Sequence, residues 1–141
     1  EWFDRTRVAQ HSVFCLCPTG DSKGFTARLY FSLVHGCIPV RVDGHRRSTQ
    51  GPNQWRYPFP RLLDWDRLVV DVPWAETPTL LRRLKAFTAA EITRRQDYLH
   101  SVAHWLLYDT PGVAEDAATA TILELERRLL PPSTPNAQSE T

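Results

Sequence analysis

The sequence predicts an α/β fold, with a partial Rossmann-like parallel sheet and flanking helices. Two short apolar runs, 12–17 and 37–42, have the length of buried strands, and an apolar stretch of helix length, 25–35, separates them. A third apolar run follows at 67–72. Strands that alternate with helices form mostly parallel sheets with right-handed crossovers. We therefore expect a core of three parallel strands whose first strand leaves one sheet edge open.

The loop at 18–24 connects the first strand to the first core helix. Pro18 ends the strand, and the loop is polar and rich in glycine. Gly36 stands where a helix commonly ends with a residue in the left-handed conformation. In open α/β sheets, ligands bind at the carboxyl ends of the strands, and a helix N-terminus offers free N–H groups to an anion. The loop therefore indicates a nucleotide-type site.

Three more helices are predicted after the third strand, at 78–87, 89–108 and 113–129. Thr77 and Pro78 suit the N-cap and first position of the earliest of them. Thr88 and Glu91 have the spacing of a capping box at the start of the next. The segment 57–60 contains two prolines and is predicted to be extended.

The length and charge of the chain exclude several classes of protein. With 141 residues the chain fits one domain, and we assign 1–129 to it and 130–141 to a polar tail that should be disordered. The net charge of +1 gives no drive toward nucleic acid or an anionic membrane. No apolar run approaches the ~20 residues of a membrane helix. The sequence begins at Glu1 without any methionine, as expected of a piece of a longer protein.

Neither the cysteines nor the histidines form a convincing metal site in the sequence. Cys15, Cys17 and Cys37 fall in predicted strands, and no close histidine completes a tetrahedral set. We predict that all three are unbridged and act as small buried hydrophobes, with metal binding as the less favoured alternative. His100 and His104 have helical ligand spacing but lack the adjacent glutamate of the zinc-protease pattern. No metal is predicted.

Several short motifs, in one order and at consistent spacing, resemble the carboxyl-terminal part of exostosin-type glycosyltransferases. The motifs are Ser12-Val13-Phe14-Cys15-Leu16-Cys17-Pro18-x-Gly20, Arg28-Leu29, Gly36-Cys37-Ile38-Pro39-Val40, Pro58-Phe59, Leu63-Asp64-Trp65 and Leu68-Val69-Val70-Asp71-Val72. Together they cover about residues 10–108. Each is weak by itself, whereas their shared order indicates homology.

The resemblance implies a GT-B fold of two Rossmann-like domains, of which this chain supplies most of the donor-binding half. The implied activity is transfer of a sugar from a UDP-sugar to a glycan acceptor. The acceptor domain would precede this chain, and the parent protein would be anchored in the Golgi membrane with this part in the lumen. No cofactor beyond the UDP-sugar substrate is implied, and no membrane segment lies in this chain.

Six residues are candidates for binding the donor: Gly20, Asp21, Ser22, Gly24, Arg28 and Asp43. Arg28 matches the family arginine and could pair with a diphosphate, or it is a solvated helix charge. Gly20 and Gly24 permit close backbone approach or form a plain turn. Asp21 could cap the helix instead of touching ligand, and Asp43 lies at the carboxyl end of a strand or forms a turn. Catalytic residues are not identified.

One position departs from the family pattern in a way that matters for function. Phe31 stands where the family often has an acidic residue that would bind the donor ribose. A carboxylate accepts hydrogen bonds from ribose hydroxyls, whereas a phenyl ring accepts none. Either another group such as Asp43 holds the ribose, or donor binding is weakened. The alternative function is a non-catalytic exostosin-like domain that binds a glycan or a protein partner; an unrelated nucleotide-binding domain is a weaker alternative.

Overall fold

The computed structural model describes residues 4–18, 26–42, 57–108 and 115–130. These ranges contain a sheet of three parallel strands in the order β1-β2-β3. The strands are β1 (Phe14–Pro18), β2 (Ile38–Val42) and β3 (Val70–Val72). The predicted fold class is confirmed.

Helices surround this sheet in the described ranges. The α-helices are α1 (Arg5–Gln10), α2 (Ala27–Val34), α3 (Trp65–Leu68), α4 (Leu80–Lys85), α5 (Ala89–Val102) and α6 (Ala117–Leu129). Two 3₁₀ segments, Trp74–Thr79 and Ala103–Leu106, precede α4 and follow α5. The predicted capping box is confirmed, because Thr88 Oγ1 accepts from the Glu91 N–H while the Glu91 carboxylate accepts from the Thr88 N–H.

Several predicted boundaries are wrong, including the start of the final helix, which was predicted at residue 113 but lies at Ala117, with Asp116 as the N-cap. The third strand begins only at Val70, because the preceding residues form the single helical turn α3. The predicted helix at 78–87 covers only Leu80–Lys85, and its N-cap is Thr79 instead of Thr77, because Trp74–Thr79, which contains Pro78, forms a 3₁₀ segment. The helix predicted to reach residue 108 changes to 3₁₀ geometry after Val102.

The segment 57–60 contains a tight turn, whereas its two prolines predict an extended segment. Phe59 has a φ of 51°, in the left-handed region that residues other than glycine seldom occupy. Its carbonyl accepts from the N–H groups of Leu62 and Leu63, at 3.0 and 2.9 Å. The chain therefore makes a tight turn here, and Phe59 packs partly against the core.

The sheet separates two apolar clusters. The first joins Cys17 to buried residues of α2, of the segment leading into β3, and of α5. The second consists of alternate residues of β2 and β3, and it is covered by Leu80 and Leu84 of α4 together with Phe87 and Ile92. Both faces of β2 are thus buried, as is typical of parallel sheets.

The β1 edge of the sheet is open within the described residues, as predicted. Strand β1 pairs only with β2 there, and the Leu16 side chain is 57% exposed. Gly36 ends α2 as predicted, with a φ of 76° and a hydrogen bond from the Cys37 N–H to the Ser32 carbonyl of 3.0 Å. This turn brings the chain directly into β2, alongside β1.

The prediction that all three cysteines are unbridged is wrong. Cys15 and Cys37 form a disulfide, with a Cα–Cα distance of 5.8 Å. The register is the physical reason: Phe14 pairs with Ile38, so Cys37 lies just before β2 and within reach of Cys15. Cys17 remains a free thiol and is buried at 2% exposure.

Candidate functional site

A polar row crosses the sheet near the carboxyl ends of its strands. In the parallel register Cys17 pairs with Arg41, and Arg41 pairs with Asp71. Arg41 Nε donates a hydrogen bond to the Asp71 carboxylate and forms an ion pair with it. This row lies at the edge of the sheet where open α/β folds bind ligands.

Tyr57 holds the Asp71 carboxylate from a second direction. Its hydroxyl donates to the two carboxylate oxygens, at 3.0 and 3.2 Å. Burial, followed by the nearby Asp71 charge, raises the pKa of Tyr57 far above its ordinary value, so the phenol stays protonated and remains a donor. The Tyr57 ring stacks on Trp65 with centroids 4.5 Å apart, and the Arg41 guanidinium lies 5.2 Å from its centroid.

This cluster was not predicted from the sequence, because 37–42 and 67–72 were expected to be uniformly apolar strands. The available signal was a charged residue between two buried valines in each strand, Arg41 in β2 and Asp71 in β3. Opposite charges at neighbouring positions of adjacent strands can be paired from the sequence once the register is known.

Arg28 lies in the first turn of α2 and is exposed. Its carbonyl accepts from Ser32 Oγ at 2.8 Å, and Ser32 Oγ lies 3.5 Å from Cys17 Sγ. Burial raises the pKa of the Cys17 thiol, while the Arg28 charge opposes this rise. Arg28 is therefore within electrostatic range of the carboxyl end of β1.

The N-terminus of α2 offers further hydrogen-bond donors beside Arg28. Thr26 is the N-cap residue, and its side chain makes no capping hydrogen bond. The N–H groups of a helical first turn have no acceptor within the helix. An exposed guanidinium next to such groups suits a phosphate or diphosphate.

Phe31 lies on α2 one turn beyond Arg28. Its ring contacts the His35 imidazole with centroids 4.2 Å apart, and His35 Nδ1 donates to the Phe31 carbonyl at 2.7 Å. The side chain is half-buried and belongs to neither apolar cluster. A substitution at this position would therefore not open the core.

Arg28 alone among the predicted donor-binding residues lies in the described part of the chain. Gly20, Asp21, Ser22, Gly24 and Asp43 lie outside the described residues. Their convergence at the carboxyl edge stays a prediction. Among the described residues, no three His, Cys, Asp or Glu side chains are grouped so that they could hold a metal ion.

A cleft of about 740 Å³ opens beside the Tyr57–Trp65 stack. The segment that follows Tyr57 forms one side of it, and α5 and α6 contribute Tyr98 and Arg128. Polar side chains at the cleft include Arg61, Asp64 and Asp66. The cleft therefore combines aromatic surface with groups that donate and accept hydrogen bonds.

The sequence model of the Exostosin GT47 domain matches residues 2–87, which is more than half of the chain. The chain belongs to the exostosin GT47 family. Within the match lie the strand–helix–strand unit with Arg28 and the Arg41–Asp71–Tyr57 cluster. The resemblance found in the sequence motifs is thereby confirmed.

Curated relatives of this GT47 chain are named as glycosyltransferases. A "probable glucuronosyltransferase" of Oryza sativa subsp. japonica is 31% identical over 122 residues, 85% of this chain and 26% of the relative. A "probable xyloglucan galactosyltransferase" of Arabidopsis thaliana is 32% identical over 111 residues, 75% of this chain and 20% of the relative. A "probable glucuronoxylan glucuronosyltransferase" of the same plant is 31% identical over 121 residues, which are 84% of this chain and 24% of the relative.

The GT47 chain thus spans about a quarter of the length of these relatives. No helix in the described ranges is long and apolar enough to span a membrane.

Proposed function

We propose that this chain is the donor-binding part of a glycosyltransferase that moves a sugar from a UDP-sugar to a glycan acceptor. Membership of the exostosin GT47 family, with Arg28 in the first turn of α2, carries this proposal. The relatives are named as probable glucuronosyl- and galactosyltransferases, so UDP-glucuronic acid and UDP-galactose are the first candidate donors. The acceptor domain and the general base would lie in the rest of a GT-B protein.

The chemical role of this chain would be to stabilise the leaving group. Breaking the bond between sugar and UDP leaves negative charge on the diphosphate. In this proposal the Arg28 guanidinium and the free N–H groups at the start of α2 donate hydrogen bonds to that charge. Fixed donors of this kind are commonly among the largest contributions to catalysis. No cofactor is required for this step.

The disulfide supports a location in the secretory pathway. Disulfides form and persist in oxidising compartments and are rare in the cytosol. The bond joins Cys15 in β1 to Cys37 just before β2, so it links the two chain segments that flank α2. We therefore place this part of the protein in the lumen of the Golgi, with its anchor elsewhere in the polypeptide.

Calorimetric titration of UDP into the complete polypeptide that carries this chain tests the proposal. Arg28→Ala should weaken UDP binding about 10- to 100-fold, the usual effect of losing a hydrogen bond to a charged group. Arg94→Ala is the matched control, because Arg94 is also an exposed helix arginine but lies on α5. Equal affinity of the parent and Arg28→Ala would contradict the donor site.

A non-catalytic glycan- or protein-binding domain is the second candidate, and Phe31 is the observation that favours it. The phenyl ring of Phe31 packs against His35 and offers no hydrogen-bond acceptor to the hydroxyl groups of a donor ribose. A correctly folded protein that does not bind UDP at all would support this second function and reject the first.

A further inference from the structure

The cleft beside Tyr57 and Trp65 has the size of a ligand site. Its volume of about 740 Å³ lies within the roughly 300–1,000 Å³ usual for such sites. It is lined by side chains from three separate parts of the chain, namely Tyr57, Arg61, Asp64, Asp66, Tyr98 and Arg128. Because these parts are brought together by the fold, the cleft is a feature of the tertiary structure.

Side chains of α5 form hydrogen bonds with the backbone of the segment that carries Asp64 and Asp66. The Asp64 N–H donates to the Tyr98 hydroxyl at 2.7 Å. Arg95 Nη1 donates to the carbonyls of Asp66 and Arg67, at 2.8 and 2.9 Å. The backbone at this wall of the cleft is therefore held in place before any ligand arrives.

The aromatic side of the cleft is held equally firmly. Trp65 Nε1 donates to the Pro58 carbonyl at 2.7 Å, and the Trp65 ring stacks on Tyr57 with an interplanar angle of 9°. The Tyr57 hydroxyl in turn donates a hydrogen bond to the Asp71 carboxylate. Preorganised walls reduce the conformational entropy that the protein loses when a ligand binds.

Three side chains at the cleft have unused hydrogen-bonding capacity. Among the described contacts, Arg61, Asp64 and Asp66 form no ion pair and no side-chain hydrogen bond, and all three are exposed. Two carboxylates supply acceptors and the guanidinium supplies donors. Sugar hydroxyl groups both donate and accept, so they match this set.

The charges at the cleft argue for a neutral ligand. Two arginines, Arg61 and Arg128, face two aspartates, Asp64 and Asp66, so the formal charges cancel. Arg128 is also paired with Glu124 at 2.8 Å. A diphosphate or a polyanion would meet the two free carboxylates, and like charges repel.

We propose that this cleft binds a neutral oligosaccharide, as a subsite for the glycan chain to which the enzyme adds its sugar. The role as an acceptor subsite rests on the proposed function, whereas the binding of glycan in the cleft does not. The site is built on the flank of the sheet by residues 57–66 together with α5 and α6. None of its lining residues belongs to α2, which carries Arg28.

Calorimetric titration of neutral hexasaccharides into the complete polypeptide tests the proposal. The probes are xylohexaose, cellohexaose and mannohexaose, with hexagalacturonate as an acidic comparison. Asp64→Asn, Asp66→Asn and Arg61→Gln should each weaken binding of the preferred neutral probe about ten-fold and leave UDP affinity unchanged. Asparagine also serves well as an N-cap residue, so Asp64→Asn preserves the start of α3.

Asp97→Asn and Arg94→Gln are the matched controls, because both residues are exposed on α5 and lie outside the cleft. They should leave glycan binding unchanged. The proposal is overturned if no neutral probe binds at millimolar concentration, if the controls weaken binding as much as the cleft variants, or if hexagalacturonate binds best. Glycan binding that depends on the cleft, in a protein that does not bind UDP, would support the subsite while rejecting the donor site.

Discussion

Arg41 and Asp71 are register partners on β2 and β3, and they form an ion pair on the face of the sheet where Tyr57 and Trp65 stack. The Arg41 side chain is only 13% exposed, whereas the Asp71 side chain is 46% exposed. The pair therefore joins an almost buried cation to a carboxylate at the surface. It also ties the segment that contains Tyr57 to the sheet.

Removal of the Asp71 carboxylate should destabilise the protein. Asp71→Ala would remove the carboxylate that pairs with the Arg41 guanidinium and the two hydrogen bonds that Tyr57 donates to it. We expect the free energy of unfolding to fall by about 1–3 kcal/mol, because a buried polar group that loses its partner costs that much. Urea denaturation measures the change. Glu76→Ala, which breaks the exposed pair with Arg83, is the control and should cost less than about 1 kcal/mol; equal costs would show that the Arg41 pair is no stronger than a surface pair.

The disulfide should be detectable by thiol titration and should raise the free energy of unfolding. Under denaturing conditions without reductant, thiol titration should find one free thiol, Cys17, and three after reduction. The Cys15→Ser/Cys37→Ser double variant should lose about 3 kcal/mol in unfolding free energy, since the bond closes a loop between residues 22 apart in sequence. Three free thiols before reduction would restore the unbridged assignment. The Cys17→Ser variant is the control for the loss of a cysteine as such.

The fold could be predicted from the sequence because its signals are local. The β1–α2–β2 unit follows from two apolar runs that flank a helix-length segment, and Gly36 and the Thr88–Glu91 box are recognised from single positions. The disulfide could not be derived in this way. It depends on the offset between β1 and β2, which places Cys37 within reach of Cys15, and no local pattern specifies that offset.

The candidate site was harder to predict than the fold, because most of its contacts join segments that are distant in the sequence. Arg28 was found through a family motif, and the structure places it in the first turn of α2. The Arg41–Asp71–Tyr57 cluster joins three segments that are distant in sequence. Each of these residues is ordinary within its own segment, and only the register and the turn at Phe59 bring them together.

The capping box predicts a specific pH dependence of stability. The hydrogen bonds from Thr88 lower the pKa of the Glu91 carboxyl below its ordinary value of 4.5. A lowered folded-state pKa stabilises the fold above the unfolded pKa, and this stabilisation is lost as the pH falls through the folded value. Glu91→Gln should therefore lower Tm at about pH 6 and have little effect at about pH 3. A Tm difference that is the same at both pH values would contradict the assignment; Glu126→Gln, on exposed α6, is the control.

Restoring the family acid at Phe31 should strengthen donor binding. Phe31 packs against His35 outside both apolar clusters, so Phe31→Glu is expected to fold. A carboxylate there could accept from ribose hydroxyls, and UDP affinity should rise about ten-fold, the lower part of the range for a hydrogen bond to a charged group. Calorimetry with UDP measures the gain, and Phe31→Leu should show none. An unchanged affinity in folded Phe31→Glu would mean that this position does not face the ribose.

Photo-crosslinking with 5-azido-UDP tests the location of the donor site most directly. The complete polypeptide would be irradiated with the probe, with and without excess UDP, and the labelled peptides identified by mass spectrometry. If the donor binds beside Arg28, the label lies within residues 18–43, is suppressed by UDP and is reduced in Arg28→Ala. Suppressible label confined to other parts of the polypeptide, with none in 18–43, would contradict this location of the donor site.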